Sequence, residues 1–473
     1  MISVLAKYAE AVRRTDPVKY TGTVTRVSGM LIESRGPGTV VGGLCRILLP
    51  SARRRQKPSV PGGAPSFSGT PVFTEPFTAE NCVLAEVIGL NGSTVQMMSF
   101  TGTGGIEIGC PVIALDESLS VPAGDFLLGR VLDGLGRAAD GKGEIFSAVS
   151  YPAVAPPPDP MRRRPIDRRM VTGIKAIDAM LAVGKGQRLG IFSGSGVGKS
   201  TLLGMIARNT AADVNVIALI GERGREVLDF IQRDLGESGL ARSVIVSATS
   251  DQSPLMRLRG AYVATAVAEY FRDQGKDVML MFDSVTRFAK AQREISLARG
   301  EKPAQRGYPP SVFETLPRLL ERAGTSAAGS ITAFYTVLVD GDDMDEPIAD
   351  TVRGILDCHI VLSRRLAQRY HYPAIDVLSS ISRLSKRVSG ENTKKAEARV
   401  RRLMAVYAEQ EDMINVGAYQ KGTNPEIDAA IDSHPAIEDF LTQETSSGAP
   451  VAETLRQLAA VSGVEIPEEE YDT

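Results

Sequence analysis

Residues 187–201 read QRLGIFSGSGVGKST. An apolar stretch carrying Leu189, Ile191 and Phe192 runs into a turn of small residues closed by Gly198, Lys199 and Ser200. A helical pattern with Leu202, Leu203, Met205 and Ile206 follows. Strand, glycine-rich turn and helix in that order make a phosphate-binding loop, formed here by Gly194, Ser195, Gly196, Val197, Gly198, Lys199, Ser200 and Thr201. The glycines let the backbone take positive φ and turn successive N–H groups inward, Lys199 reaches the β- and γ-phosphates, and the Ser200 hydroxyl is a ligand for Mg²⁺. The positive end of the helix dipole points at the same phosphates. The expected ligands are therefore ATP and Mg²⁺. A simple glycine-rich connector would explain the glycines but not Lys199 followed by Ser200. The motif usually opens on glycine and here holds Ser193, with Gly194 beside it to close the turn.

Around this loop the chain has 473 residues, 43% hydrophobic, enough for two or three domains with a sizeable core. The formal net charge is −2 and the isoelectric point near 6.1, which gives no support to a nucleic-acid partner. Cys45, Cys82, Cys110 and Cys358 are scattered singly, and His359, His371 and His434 are unclustered, so neither a zinc site nor a disulfide framework is expected. No apolar run reaches the roughly 18 residues that span a bilayer, and no signal-peptide core stands at the N-terminus. A soluble protein in a reducing cytoplasm fits these features.

Three regions follow from the patterning. Residues 1–104 begin with a short amphipathic helix at 2–14, whose apolar face carries Val4, Leu5, Tyr8, Ala9 and Val12. Short β-type runs separated by turn residues then suggest a small barrel. It is interrupted at 51–73 by SARRRQKPSVPGGAPSFSGTPVF, read as a flexible insertion with a solvated basic cluster. Residues 105–384 hold the phosphate loop and, beyond the proline-rich joint 151–165, the buried-strand runs VNVIALI, SVIVSA, VMLMFD and ITAFYTVLV, as in a parallel α/β sheet. Residues 385–473 turn helical, with Val400, Leu403, Met404 and Tyr407 at i, i+3, i+4, i+7 spacing.

Hydrolysis of ATP needs a group that polarises water. Glu222, in GERGREV directly after the strand ending at Ile220, stands where ligands bind in parallel sheets, beyond the carboxyl ends of the strands. The same carboxylate could instead cap the helix beginning near Arg225. Asp283, which ends the apolar run MLMFD, reads as the Walker B acid that holds Mg²⁺.

Several blocks, in order, give a more specific reading: GSGVGKS, GERGREV, MFDSVTRFAKAQREI, GYPPSVFETLPRLLERAG, GSITAFYTVLVDGDDMDEPIAD and YPAIDVLSSISRL. Together they resemble the type III export ATPases, which are related to the catalytic subunits of rotary ATP synthases. The resemblance implies a RecA-like P-loop core preceded by a β-barrel and followed by a helical domain. It also implies that Glu222 is the catalytic carboxylate with Arg223 beside it, and that Arg383, in SSISRL, is an arginine finger reaching into the site of an adjacent subunit. Tyr372, in HYPAID, would stack on adenine, and Tyr419, in GAYQKG, would close the other side of the base. Without the family, Arg383 reads as a surface arginine and Tyr372 as a core tyrosine.

The implied assembly is a homo-hexamer, cytoplasmic and peripheral to the inner membrane at an export apparatus. Its implied partners are a stator-like regulator at residues 2–14, a stalk-like export protein in the ring, export-gate membrane proteins, and export chaperones or substrates. GERGREV, GDDMDEPIAD, AYQKG and VSGMLIES lean toward the flagellar branch over virulence-type injection. A hexameric nucleic-acid motor would need a basic, aromatic-rich barrel that residues 20–100 do not offer. A non-hydrolysing subunit would lack Glu222, and a rotary synthase subunit would carry glycine at 193.

Overall fold

The computed structural model describes residues 21–50, 81–194, 196–339, 341 and 343–471. The helix expected at 2–14, the insertion at 51–73 and Ser195 lie outside the described residues. The chain divides into two compact units at Leu119/Ser120, with Gln252–Met256 and Glu294–Glu301 grouped with the first.

The first unit is a closed six-stranded barrel of β1 (Thr21–Ser28), β2 (Leu31–Arg35), β3 (Gly43–Leu48), β4 (Cys82–Asn91), β5 (Thr94–Ser99) and β6 (Pro111–Ser118), in the order β1-β2-β5-β4-β3-β6. Alternate residues point inward, and Val24, Ile32, Cys45, Ile47, Ala85, Val87, Val95, Met97 and Val112 fill the interior. Gly22 is required for packing: a methyl group there would lie 2.0 Å from the Gly36 carbonyl oxygen. The sixth strand lies beyond residue 104, where the sequence suggested that the barrel ends. PVIALDES mixes apolar and acidic residues, so it lacks the clean alternation that marked the other strands.

In the second unit the phosphate loop follows β7 (Arg188–Ser193) and opens α1 (Lys199–Asn209). Next come β8 (Val214–Ile220), α2 (Gly224–Asp229), β9 (Ser243–Ala248), α3 (Pro254–Asp273), β10 (Asp277–Asp283), α4 (Val285–Ala298), α5 (Pro310–Leu320) and β11 (Ser330–Leu338). The core ends with α6 (Pro347–Ile355), β12 (Cys358–Leu362) and β13 (Ile375–Ser382). The sheet order is β13-β12-β7-β11-β10-β8-β9, with Val131–Leu132 at the β9 edge. Every pairing along it is parallel except the antiparallel β13. All seven residues of β8 are buried, as a strand covered on both faces requires. Ser193 lies level with Leu338 and Leu362, and Leu219 with Asp283, so the loops after β7, β8 and β10 emerge at one end of the sheet.

After a single turn at Ser385–Val388 come three longer helices, α7 (Glu391–Asn415), α8 (Pro425–Leu441) and α9 (Val451–Ser462). Their buried residues Ala396, Val400, Ile437, Phe440, Leu441, Leu455 and Leu458 belong to the same apolar cluster as Leu202, Leu203 and Ile206 of α1. The helical segment thus shares a core with the phosphate-loop helix.

The arginines of the proline-rich joint act as a strap. Arg163 donates to the Ala323 carbonyl at 2.8 Å, and Arg164 donates to the Ser326 and Ala328 carbonyls, both at 3.0 Å. Nearby, Arg322 is fully buried. Its Nε donates to Glu269 Oε1 at 2.9 Å, its Nη2 to Glu269 Oε2, and its Nη1 to the Ala153 carbonyl at 2.6 Å. Removing one member of such a pair strands a buried charge, whereas replacing both with apolar groups is often neutral. Glu269→Ala should therefore lower unfolding stability by about 3–5 kcal/mol in urea melts, and the pair Glu269→Leu with Arg322→Met should recover most of the loss.

Candidate active site

Two glycines of the phosphate loop have the backbone that the motif needs, Gly196 at φ +78° and Gly198 at φ +94°. Gly198 is the residue before α1, and its carbonyl accepts from Leu202 N–H at 3.0 Å. Lys199 therefore starts the helix, and the exposed Ser200 hydroxyl lies in its first turn. Val197 is buried beneath the loop.

Lys199 Nζ lies 2.5 Å from Asp283 Oδ1 and 3.7 Å from Glu222 Oε1. Asp283 Oδ1 also accepts from the Thr336 hydroxyl at 2.7 Å, which fixes the carboxylate from the neighbouring strand. Glu222 is buried, at 7% exposure, just past the turn at Gly221 (φ +75°). The residue that precedes α2 is Arg223, so the Glu222 carboxylate is turned into the site rather than capping that helix. Its Oε2 accepts from Arg287 Nη2 at 3.1 Å, while Arg287 Nη1 donates to the Gly221 carbonyl. Burial, and then the negative charge of Asp283, push the Glu222 carboxyl up to about 7, against the opposing pull of Lys199 and Arg287. The Glu226 carboxyl, one turn along α2, is held below the usual range, first by the neighbouring Glu222 and then by Arg223 and Arg287.

The residues named from the sequence fall into four places. Lys199, Asp283 and Glu222 converge, and Ser200 follows Lys199 in the first turn of α1. Tyr372 joins them: a methyl group built on Gly198 would lie 3.4 Å from Tyr372 Cε1, so the ring covers the loop. Arg223 does not enter this cluster; its side chain is 78% exposed and pairs with Glu226 at 3.2 Å. Tyr419 is engaged in its own turn, its hydroxyl lying 3.0 Å from the Asn424 carbonyl and 2.9 Å from Asp428 Oδ1. Arg383 is exposed and follows β13, whose last residue Ser382 pairs with Cys358. Cys358 is the first residue of β12, and Leu362, level with the start of the phosphate loop, is the last. Arg383 thus sits at the opposite end of the sheet, about 13 Å along the strand direction. Neither Arg287, whose partner Glu222 is 65 residues away, nor Thr336 was marked by a local pattern, because such pairings are set by strand order.

Ser193 Oγ, Glu222 Oε1 and Arg287 Nε are buried without a hydrogen-bond partner, as expected of groups whose partners arrive with a ligand. Among the described residues no three His, Cys, Asp or Glu side chains are grouped to hold a metal ion. Mg²⁺ fits that pattern, since it is ordinarily held by substrate phosphates, waters and one or two protein oxygens. Ser200 and Asp283 supply oxygens of that kind.

Matches to known proteins agree with this geometry. Residues 24–116 match the β-barrel domain of the ATP synthase alpha/beta family and residues 173–382 its nucleotide-binding domain. Residues 389–460 match the T3SS EscN ATPase C-terminal domain. The flagellum-specific ATP synthase of Treponema pallidum (strain Nichols) is 60% identical over 463 residues, covering 98% of each chain. The chain belongs to the family of flagellar and type III secretion ATPases. It is an ATP-hydrolysing enzyme. The assembled ATPase EscN of enteropathogenic E. coli, 41% identical, superposes with a TM-score of 0.83 over 93% of this chain and 100% of that one. EscN in complex with its central stalk EscO superposes with a TM-score of 0.81 over 93% and 100%, at 40% identity.

A catalytic role for Glu222 would carry its raised carboxyl into the pH dependence of this export ATPase. Its base form is populated as pH rises through about 7, so kcat/KM for ATP should climb across that range. Arg287→Ala removes a cation that favours the carboxylate and should move the rising limb to higher pH, read from pH–rate profiles of both proteins.

Proposed function

We propose that Glu222 is the general base of ATP hydrolysis in a type III protein export system, most consistent with a flagellar one. The observation that carries this reading is the buried Glu222 carboxylate, 3.7 Å from the phosphate-loop lysine, with a proton affinity near neutrality. Mg²⁺, held by Ser200 and Asp283, would neutralise phosphate charge when bound. Lys199 exchanges its Asp283 contact for phosphate oxygens. Glu222 accepts the proton of the attacking water, and Arg287 holds its Oε2 so that the opposite oxygen, Oε1, faces the nucleophile. Tyr372 supports the adenine. Arg223 and Tyr419 keep their proposed places, beside the phosphates and the base, only if their side chains leave the contacts described above.

Arg383 completes the site from a neighbouring subunit. Its position at the end of the sheet remote from its own phosphate loop supports that role, because head-to-tail contacts between copies bring unlike ends together and close into a ring. We propose a homo-hexamer, in keeping with the assembled state named for EscN, and a stalk-like partner in the ring, as named for EscO. The stator-like regulator at residues 2–14, the export-gate proteins and the chaperones or substrates complete the proposed set. No helix among the described residues is long and apolar enough to cross a membrane. We place the enzyme in the cytoplasm, peripheral to the inner membrane. The flagellar assignment is favoured by the whole-length match to the Treponema flagellar protein.

Two measurements test this. Glu222→Gln should retain ATP binding while kcat falls about 10²–10⁴-fold, the range supplied by a positioned base; near-native kcat would remove Glu222 from that role. Inactive Arg383→Ala subunits mixed with inactive Lys199→Ala subunits should regain activity, since one supplies an intact phosphate loop and the other the arginine. Mixtures as inactive as their parents would rule out a shared site.

A further inference from the structure

The connection between α8 and α9 runs past Tyr372, and one buried side chain holds it there. Gln443 is 5% exposed. Its backbone N–H donates to the Tyr372 carbonyl at 2.9 Å. Its side-chain Oε1 accepts from Lys175 N–H at 2.9 Å, and its Nε2 donates to the Gly173 and Ser447 carbonyls, both at 2.9 Å. A buried amide with both ends satisfied is costly to remove, because each partner is left without water to replace it.

The groups that Gln443 grips are themselves fixed. Asp178, fully buried, accepts from Thr172 N–H at 2.9 Å, the Thr172 hydroxyl at 2.8 Å and Gly173 N–H at 2.8 Å. Gly173 abuts the last turn of α1, since a methyl group there would lie 2.4 Å from Asn209 Cβ. On the other side of Tyr372, His371 Nδ1 lies 2.9 Å from Glu438 Oε2 of α8. Tyr372 therefore hangs between α8 and Gln443, with its ring over Gly198.

We propose that Gln443 is a positioning residue for nucleotide binding. By anchoring Tyr372 to the 173–175 turn it sets the aromatic ring against the base, and it ties the C-terminal helices to the base end of the site. The proposal rests on Tyr372 stacking on adenine. Its side chain is committed to protein groups, so it acts through Tyr372 and not by touching the nucleotide.

The test compares the full chain with Gln443→Ala, Gln443→Met and Tyr372→Ala variants, each with ATP and with inorganic tripolyphosphate, which has phosphates but no base. Gln443→Met, close in volume, serves if the alanine variant does not fold. Either Gln443 variant should raise KM for ATP about tenfold with kcat within twofold, and leave inhibition by tripolyphosphate unchanged. Tyr372→Ala should do the same, and adding a Gln443 variant to it should raise KM no further. An unchanged KM in Tyr372→Ala would overturn the stacking role itself. With that role intact, an unchanged KM in both Gln443 variants, additive effects in the double variant, or a parallel loss of tripolyphosphate binding would each overturn the proposal for Gln443.

Discussion

The site depends on one ammonium group being shared between two buried carboxylates. Lys199 Nζ lies between Asp283 and Glu222, whose side chains are 4% and 9% exposed. Two acids so placed cannot both be ionised cheaply, and a single cation cannot satisfy both. It sits 2.5 Å from Asp283 and 3.7 Å from Glu222. Asp283 also receives the Thr336 hydroxyl, while Glu222 is left with a raised affinity for protons. The structure thus separates two chemically similar groups: Asp283 is held by Lys199 and Thr336, and Glu222 keeps the raised affinity for protons. Strand order does this: β8, β10 and β11 are neighbours that place Glu222 just past the end of β8, Asp283 at the end of β10 and Thr336 within β11, next to the β7 strand that delivers Lys199.

The same order underlies the proposal that Arg383 acts in another copy. A parallel sheet has two unlike ends, and everything that handles phosphate here emerges at the carboxyl end. The antiparallel edge strand β13 reverses direction and carries its last residues, with Arg383 after them, to the amino end. An antiparallel edge on a parallel sheet is therefore a simple means of presenting a cation to another copy.

Much of this was legible in the sequence, and for identifiable reasons. The β8 and β9 strands run from Val214 to Ile220 and from Ser243 to Ala248, the bounds read from near-continuous apolar runs, because strands buried on both faces allow little else. Asp283 and Glu222 stood out because a carboxylate ending such a run needs a reason. Glu222 had two readings, as a cap or as a base, and only the placement of Arg223 before α2 separates them. Arg287 was invisible because helix α4 has many charged residues and nothing local marks the one that turns toward Glu222. The sixth barrel strand was missed for a different reason: its acidic residues blur the alternation that identifies a half-buried strand.

The C-terminal helices add a constraint that spacing could not reveal. Their apolar faces share a cluster with α1, so packing alone couples them to the phosphate-loop helix. Apolar contacts tolerate sliding better than hydrogen bonds do, and the directional part of the coupling lies in the irregular segment between α8 and α9. There Gln443 bonds to Gly173, Lys175 and Tyr372, and Arg208 of α1 donates to the Thr445 carbonyl. Displacement of the helices by a partner would have to break or carry those bonds with it. Carrying them moves Tyr372 relative to Gly198, and breaking them releases it. Either way, Tyr372 registers a force applied to the helical segment, while Lys199, Asp283 and Glu222 remain held by the sheet.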